Sequence, residues 1–382
     1  MIQYRYINEQ NTSASYGLAA DEFLMEYHQE GAEFPATLRL YNYQDYAVLA
    51  GRFQDINAEI DIEACKQNGF QFGRRLTGGG AILMGSGQLG ICFATSSKTF
   101  EWENVRELYL KFSEPVIKAL RILGIEAQFR SKNDLEVNGK KIAGLGVHVS
   151  SSGAIQFHTS LLVDLDVAQM LKVLKIPIQK YSDKKKVNSI EQRITTISRE
   201  LNREVTLKEV TETVKKCFAE AFGVEFLNME FSNDETQKIN YLEQERYLTE
   251  DWLFQRSPQS DMTGMSLKKT PAGLLRTYIG LKGEIIKSVL ITGDFFEQAD
   301  IFNKIESDLK WSSMDRDNIS DVVNKVFQLQ EFETLKFGLV PEVITESIWL
   351  AAQRAMAAER YTYKGSCYYP KVEKQSEILE EK

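Results

Sequence analysis

Asn138-Gly139 is the dipeptide that most narrows the folds open to this chain. A two-residue type I′ turn needs a positive φ at both central positions, and Asn-Gly tolerates that better than almost any pair. The runs on either side, Asp134–Val137 and Lys140–Ala143, have strand-like composition, so the spacing predicts an antiparallel hairpin. The turn also folds Lys141 back towards Asp134, setting an amine beside a carboxylate. That pair is either a plain exposed salt bridge, worth little, or a metal-and-phosphate arrangement. In the second case Asp134 holds Mg²⁺ and Lys141 neutralises charge on an α-phosphate.

Helical and strand patterns surround this hairpin. Apolar residues recur at helical spacing from Tyr16 to Gln29, across Glu101–Leu123 with Pro115 as a kink or restart, and over Leu207–Phe222. Thr206 and Glu209 predict a capping box for the last of these. Strand-like runs fall at Ala36–Tyr41, Ala47–Leu49, Phe70–Arg75, Ala81–Met84, Leu89–Thr95, Gly144–Val149 and Ala154–Val163. A second unit begins near Trp252, with strands at Leu274–Ile279 and Ile285–Ile291 and a helix at Phe296–Leu309. Another helical stretch, Pro341–Ala358, lies in the tail. The mixture is α+β, with a larger first domain and a smaller second.

Bulk properties exclude several classes. A formal net charge of -8 disfavours sequence-independent binding to nucleic acid or anionic membrane, which needs clustered positive charge. No apolar run is long enough to span a bilayer, and the N-terminus lacks the basic-then-apolar build of a signal peptide, so a cytoplasmic location is expected. Cys65, Cys92, Cys217 and Cys367 are widely scattered without CxxC spacing. They read as buried free thiols, not as a zinc site or a disulfide framework.

The densest chemical signal is Arg74-Arg75-Leu76-Thr77-Gly78-Gly79-Gly80-Ala81, directly after a strand. Three consecutive glycines allow backbone to approach a ligand closely, with amide donors free to meet negative oxygens. The arginines can supply charge-assisted hydrogen bonds to a carboxylate or phosphate. Without a following Gly-Lys-Ser/Thr the segment is not a Walker A loop, and it lacks the spaced glycines of a dinucleotide fingerprint.

About fifty residues on comes Asn133-Asp134-x-x-Val137-x-Gly139-Lys140-Lys141-Ile142-x-Gly144. The two segments together resemble the lipoate–protein ligase family. Asn11–Ser15 with Leu18–Glu22, Gly51–Gln54, Phe157–Leu162, Ser189–Thr195, Trp252 with Ser257-Pro258, and Gly293–Phe295 add further matches. The resemblance covers roughly residues 3 to 325 and implies a mixed-sheet biotin/lipoate ligase-like catalytic domain over 1–245. A small α+β accessory domain over 246–330 follows, then a C-terminal helical extension over 331–382 of unassigned role. It implies ATP-dependent activation of lipoic acid, or a similar medium-chain acid, to an acyl-adenylate. The acyl group then passes to a lysine of a lipoyl carrier domain, on a 2-oxoacid dehydrogenase acyltransferase subunit or a glycine cleavage H protein. On this reading Lys141 is catalytic and Asp134 binds Mg²⁺. Arg74, Arg75, Gly78, Gly79, Gly80, Ala81, Asn133, Gly144 and His158 bind acid or ATP.

Two positions depart from the family pattern. Met84 stands where a histidine is usual, and Gly146 is a small variation two places after Gly144. Of the other histidines, His28 reads as structural or exposed and His148 could face either side. The nearest alternative is an ATP-independent octanoyl or lipoyl transferase on the same fold, which needs a nucleophilic cysteine near residues 133–146. The sequence has none between Cys92 and Cys217. A biotin ligase would carry a Gly-Arg-Gly-Arg-type loop, which is absent. A non-catalytic binder of an acid or adenylate is the remaining alternative.

Overall fold

The computed structural model describes residues 2–29, 32–130, 133–175, 193–295, 299–329, 339–362, 364–366 and 369–371. They fall into two compact units, Met1–Gln255 and Arg256–Lys382.

The first unit is built on strands β1 (Ile2–Thr12), β2 (Thr37–Tyr43), β3 (Ala47–Ala50), β4 (Gln71–Arg74), β5 (Ile82–Met84), β6 (Gln88–Ser96), β7 (Gln128–Arg130), β8 (Asp134–Val137), β9 (Lys140–Val149), β10 (Ala154–Leu162) and β11 (Val224–Asn228). Eight of them form one mixed sheet in the order β11-β1-β2-β6-β10-β9-β8-β7. Its first three strands run parallel and the others antiparallel. A parallel neighbour requires a crossover, and the helix Ala14–Gln29 supplies it between β1 and β2. The helix lies on one face of the sheet. Helices Val105–Ile122 and Leu207–Phe222 cover the other, around a core that includes Phe93, Phe112, Phe157 and Phe218. All seven residues of β2 are buried, as expected of a strand covered on both faces. A smaller sheet, β4-β3-β5, carries the glycine-rich segment.

Local expectations hold where local chemistry decides. Asn138 and Gly139 have φ of 49° and 78°, the pair of positive values that the hairpin turn needs. The helix Val105–Ile122 runs through Pro115 without a restart. Thr206 caps its helix by accepting the Glu209 N–H at 3.3 Å. The predicted capping box is incomplete, because the Glu209 carboxylate turns to Arg203 instead, at 2.5 and 3.1 Å. The reciprocal box occurs instead at Ser232 and Glu235, at the start of the helix Asn233–Leu242.

In the second unit β12 (Gly264–Thr270), β13 (Gly273–Lys282), β14 (Ile285–Gly293) and β15 (Ser312–Ser313) make an antiparallel sheet in that order. The helix Pro341–Thr362 packs on it, with the Ser347 hydroxyl 2.7 Å from Ser266 Oγ and 2.9 Å from Thr277 Oγ1. The helix expected at Phe296–Leu309 is observed as Ala299–Leu309; residues 296–298 lie outside the described ones. Among the described residues no helix is long and apolar enough to cross a membrane.

Candidate active site

Lys141 reaches the cavity side of the main sheet through a β-bulge. Side chains alternate along β9, and Ala143, Leu145 and Val147 belong to the helix-covered core. Strict alternation would bury Lys141 on that same side. The β8–β9 register shifts instead, from Leu135↔Ala143 to Glu136↔Lys141, so one extra residue, Ile142, enters β9. One extra residue reverses the facing of everything before it. The Lys141 backbone, displaced at the bulge, is held from the other side. Its N–H donates to the Arg193 carbonyl at 2.7 Å, and its carbonyl accepts from the Thr195 N–H at 2.9 Å. Residues 193–195 end the family-like stretch predicted at Ser189–Thr195; residues 189–192 lie outside the described ones. Lys141 Nζ sits 2.6 Å from Asp134 Oδ1, with each side chain about one-third exposed.

Neighbouring glycines make room for these groups. A Cβ on Gly144 would lie 2.9 Å from Lys141 Nζ, so the ammonium rests across bare backbone. A Cβ on Gly146 would collide with the His158 ring. His158 Nε2 is 2.8 Å from Thr77 Oγ1. Burial first, then the Arg75 charge, holds this imidazole down to about 3, so it is neutral at physiological pH.

Arg74 and Arg75 are adjacent in sequence and opposite in use. Arg74 is fully buried and does not line the cavity, contrary to its assignment as a binding residue. Its guanidinium donates to the carbonyls of Gly51, Arg52, Gln54, Trp252 and Leu253 at 2.7–3.0 Å. It stitches the β3–β4 loops to the end of the unit. Arg75 does line the cavity. It donates to the carbonyls of Leu49, Gly78 and Gly80 at 3.0, 2.7 and 2.9 Å. Burial lowers it to about 10, with Tyr109 and Tyr43 opposing. The cation therefore persists at neutral pH with carbonyl partners and no carboxylate among its contacts in the described residues. A buried charge so placed favours an anionic ligand.

The cavity is lined by seven of the predicted residues: Arg75, Gly80, Ala81, Asn133, Lys141, Gly144 and His158. Asn133 is fixed by donating Nδ2 to the Leu145 carbonyl at 3.1 Å. Gly78 and Gly79 do not line it. Their role is to shape the loop: Gly78 offers its carbonyl to Arg75, and Gly79 takes φ of 93° against Gly51. Asp134 meets the cavity only through Lys141. His28, bonded to Thr37 at 2.9 Å, and the half-buried His148 are not among the lining residues.

Sequence reading missed the apolar half of the wall, namely Tyr41, Tyr43, Leu49 and Ile82 with Leu18 from the helix. Met84, in the position that is usually histidine in the resembling family, belongs to this half and packs with Tyr41, Tyr43 and Leu49. The alternation Tyr41-x-Tyr43 on a strand was the available signal.

The cavity thus combines fixed cations and backbone amides with an apolar wall, the build of a holder of amphipathic acids. Residues 13–219 match the family model for the lipoyl protein ligase A/B catalytic domain, and residues 262–341 match that for the bacterial lipoate protein ligase C-terminus. The chain belongs to the lipoyl protein ligase A/B family. It is 28% identical over 323 residues to lipoate-protein ligase LplJ of Bacillus subtilis, covering 84% of this chain and 94% of that protein. It is 28% identical over 276 residues to octanoyltransferase LipM of Anoxybacillus flavithermus, covering 66% of this chain and 98% of that one. The crystal structure of a lipoate-protein ligase A bound with ATP superposes with a TM-score of 0.57 at 26% identity, over 66% of this chain and 98% of that chain. Relatives named for both activities therefore resemble this chain in sequence.

Proposed function

We propose that this chain is an ATP-dependent lipoate–protein ligase. It activates lipoate, or a similar medium-chain acid, and passes the acyl group to a lysine of a lipoyl carrier domain. One observation carries the choice: Lys141 and Arg75 share a cavity that no cysteine lines among the described residues. Cys65, Cys92 and Cys217 are fully buried. Burial, and then the Asp21 carboxylate, push the Cys92 thiol well up, away from the thiolate a transferase would need. The LipM relatives keep the transferase as the second reading.

In the first half-reaction a carboxylate oxygen of the acid attacks the α-phosphorus of ATP, and pyrophosphate leaves. In the second, the carrier amine attacks the acyl carbon, gives up a proton, and AMP leaves. Both steps gather negative charge on oxygens, so fixed donors supply most of the rate. Lys141, between the acyl carbonyl and the α-phosphate, stabilises that charge in both. Arg75 anchors the anion and His158, being neutral, shapes the wall through Thr77. Asp134 is the candidate Mg²⁺ ligand. Among the described residues no three His, Cys, Asp or Glu side chains gather as a metal site. A single carboxylate fits an ion held chiefly by nucleotide phosphates, as Mg²⁺ commonly is. When bound, that ion would neutralise charge on the leaving pyrophosphate.

The test is acid-dependent pyrophosphate release from ATP and Mg²⁺ with lipoate, octanoate and biotin, followed by the mass of an added carrier domain. Release with lipoate and a mass gain on the carrier lysine are expected, and Lys141→Ala should abolish release while the protein stays folded. ATP-independent transfer from an octanoyl carrier, with no release, would establish the second reading instead.

A further inference from the structure

The sheet register gives the cavity a direction. Gly144, Ser160, Gly90 and Tyr41 lie side by side across β9, β10, β6 and β2. Three strand spacings separate the first from the last, about 14 Å. The Lys141 ammonium lies over Gly144 and the Tyr41 ring over Gly90. An acid with its carboxylate at Lys141 therefore points its tail towards β2, where Tyr43, two residues beyond Tyr41, closes the apolar end with Leu18 and Met84.

Tyr43 is 1% exposed, and its ring is pressed against Gly17, where a Cβ would lie 2.6 Å from Cε1. Among the described residues its hydroxyl meets no partner in hydrogen-bonding geometry. The neighbouring Tyr41 ring is 5.6 Å away, centroid to centroid, and its hydroxyl is near enough to bear on that of Tyr43, but Tyr41 gives its own proton to Asp21 Oδ2 at 2.9 Å and the Tyr43 hydroxyl does not reach full bonding geometry with it. A buried hydroxyl left unpaired is costly, and the cost falls on whatever fills the slot without an acceptor. A phenylalanine would fill the same space without that penalty.

We propose that Tyr43 selects acids bearing a heteroatom at the far end of a medium-length chain. Its hydroxyl donates to that sulfur or oxygen, so a tail ending in a cyclic disulfide or a hydroxyl is favoured over a plain alkyl tail. This rests on reading the cavity as the acid site. The chemical logic is that of any site built around one polar atom: an isostere lacking the matching group leaves the atom orphaned.

Equilibrium binding of lipoate, octanoate and 8-hydroxyoctanoate to the full chain, by calorimetry, tests it against Tyr43→Phe. The wild type should prefer each heteroatom-bearing acid over octanoate. Tyr43→Phe should shrink both preferences by about tenfold, through looser heteroatom-bearing acids and tighter octanoate. A thermal melt close to the wild type would show the variant folded. Unchanged preference ratios in the folded variant would overturn the role of Tyr43 while leaving the acid site standing. Failure of all three acids to bind the wild type would overturn the acid site itself, and this proposal with it.

Discussion

Gly144→Ala isolates the position of Lys141 from its chemistry. Gly144 has no positive φ, so alanine meets no backbone strain there. Its new Cβ would stand 2.9 Å from Lys141 Nζ and 3.1 Å from Cε, where ordinary contact needs about 3.5–4 Å. The lysine end must retreat by about 0.5–1 Å. It sits on a flexible stem and is one-third exposed, so stability should change by no more than about 0.5 kcal/mol. The rate should not be spared, because displacing a charge-stabilising group by about 1 Å costs on the order of 10- to 100-fold. Single-turnover formation of the acyl-adenylate, at saturating acid and ATP, reads that rate directly, and a thermal melt reads the stability. A wild-type rate in Gly144→Ala would refute the claim that catalysis depends on where the ammonium lies. A slow rate accompanied by a large drop in Tm would refute the claim that the glycine serves Lys141 and not the fold.

Arg74→Met strips a buried guanidinium from five backbone carbonyls and should destabilise the protein by about 3 kcal/mol or more in urea unfolding. A change under about 1 kcal/mol would show that Arg74 is not the brace described. His28 and His148 are held down to about 4 and His158 to about 3, each mainly by burial. The unfolded chain takes up protons below about pH 6.5 that the folded protein refuses, so stability should fall as pH drops from about 6.5 towards 4. At pH 5 the loss is about 2 kcal/mol for each imidazole that stays neutral. A flat denaturant midpoint between pH 7 and pH 5 would contradict the depressed values.

Most of what the chain says about itself is said locally. The Asn138-Gly139 turn, the Thr206 cap and the helix Leu207–Phe222 depend on a few consecutive residues, and sequence was enough to place them. The order and spacing of the glycine-rich and Asn-Asp…Lys segments pointed to the family, since each motif carries its own backbone requirement. The 11-residue strand β1 was not legible, because its pairing with β11 joins Ile2 to Val224 and nothing near Ile2 announces it. Nor was the division of labour between Arg74 and Arg75. Two like side chains in succession point opposite ways, and only the surrounding carbonyls determine which one braces the fold. The Glu209 carboxylate, locally suited to a capping box, went to Arg203 because charge pairing competed with the backbone N–H. Sequence by itself determined which cationic and glycine-rich groups line the cavity, while its apolar wall came into view only in the fold. Tertiary structure alone decided that Lys141 faces the cavity, because a single bulge, set by packing on both sides of β9, reverses the alternation that would have buried it.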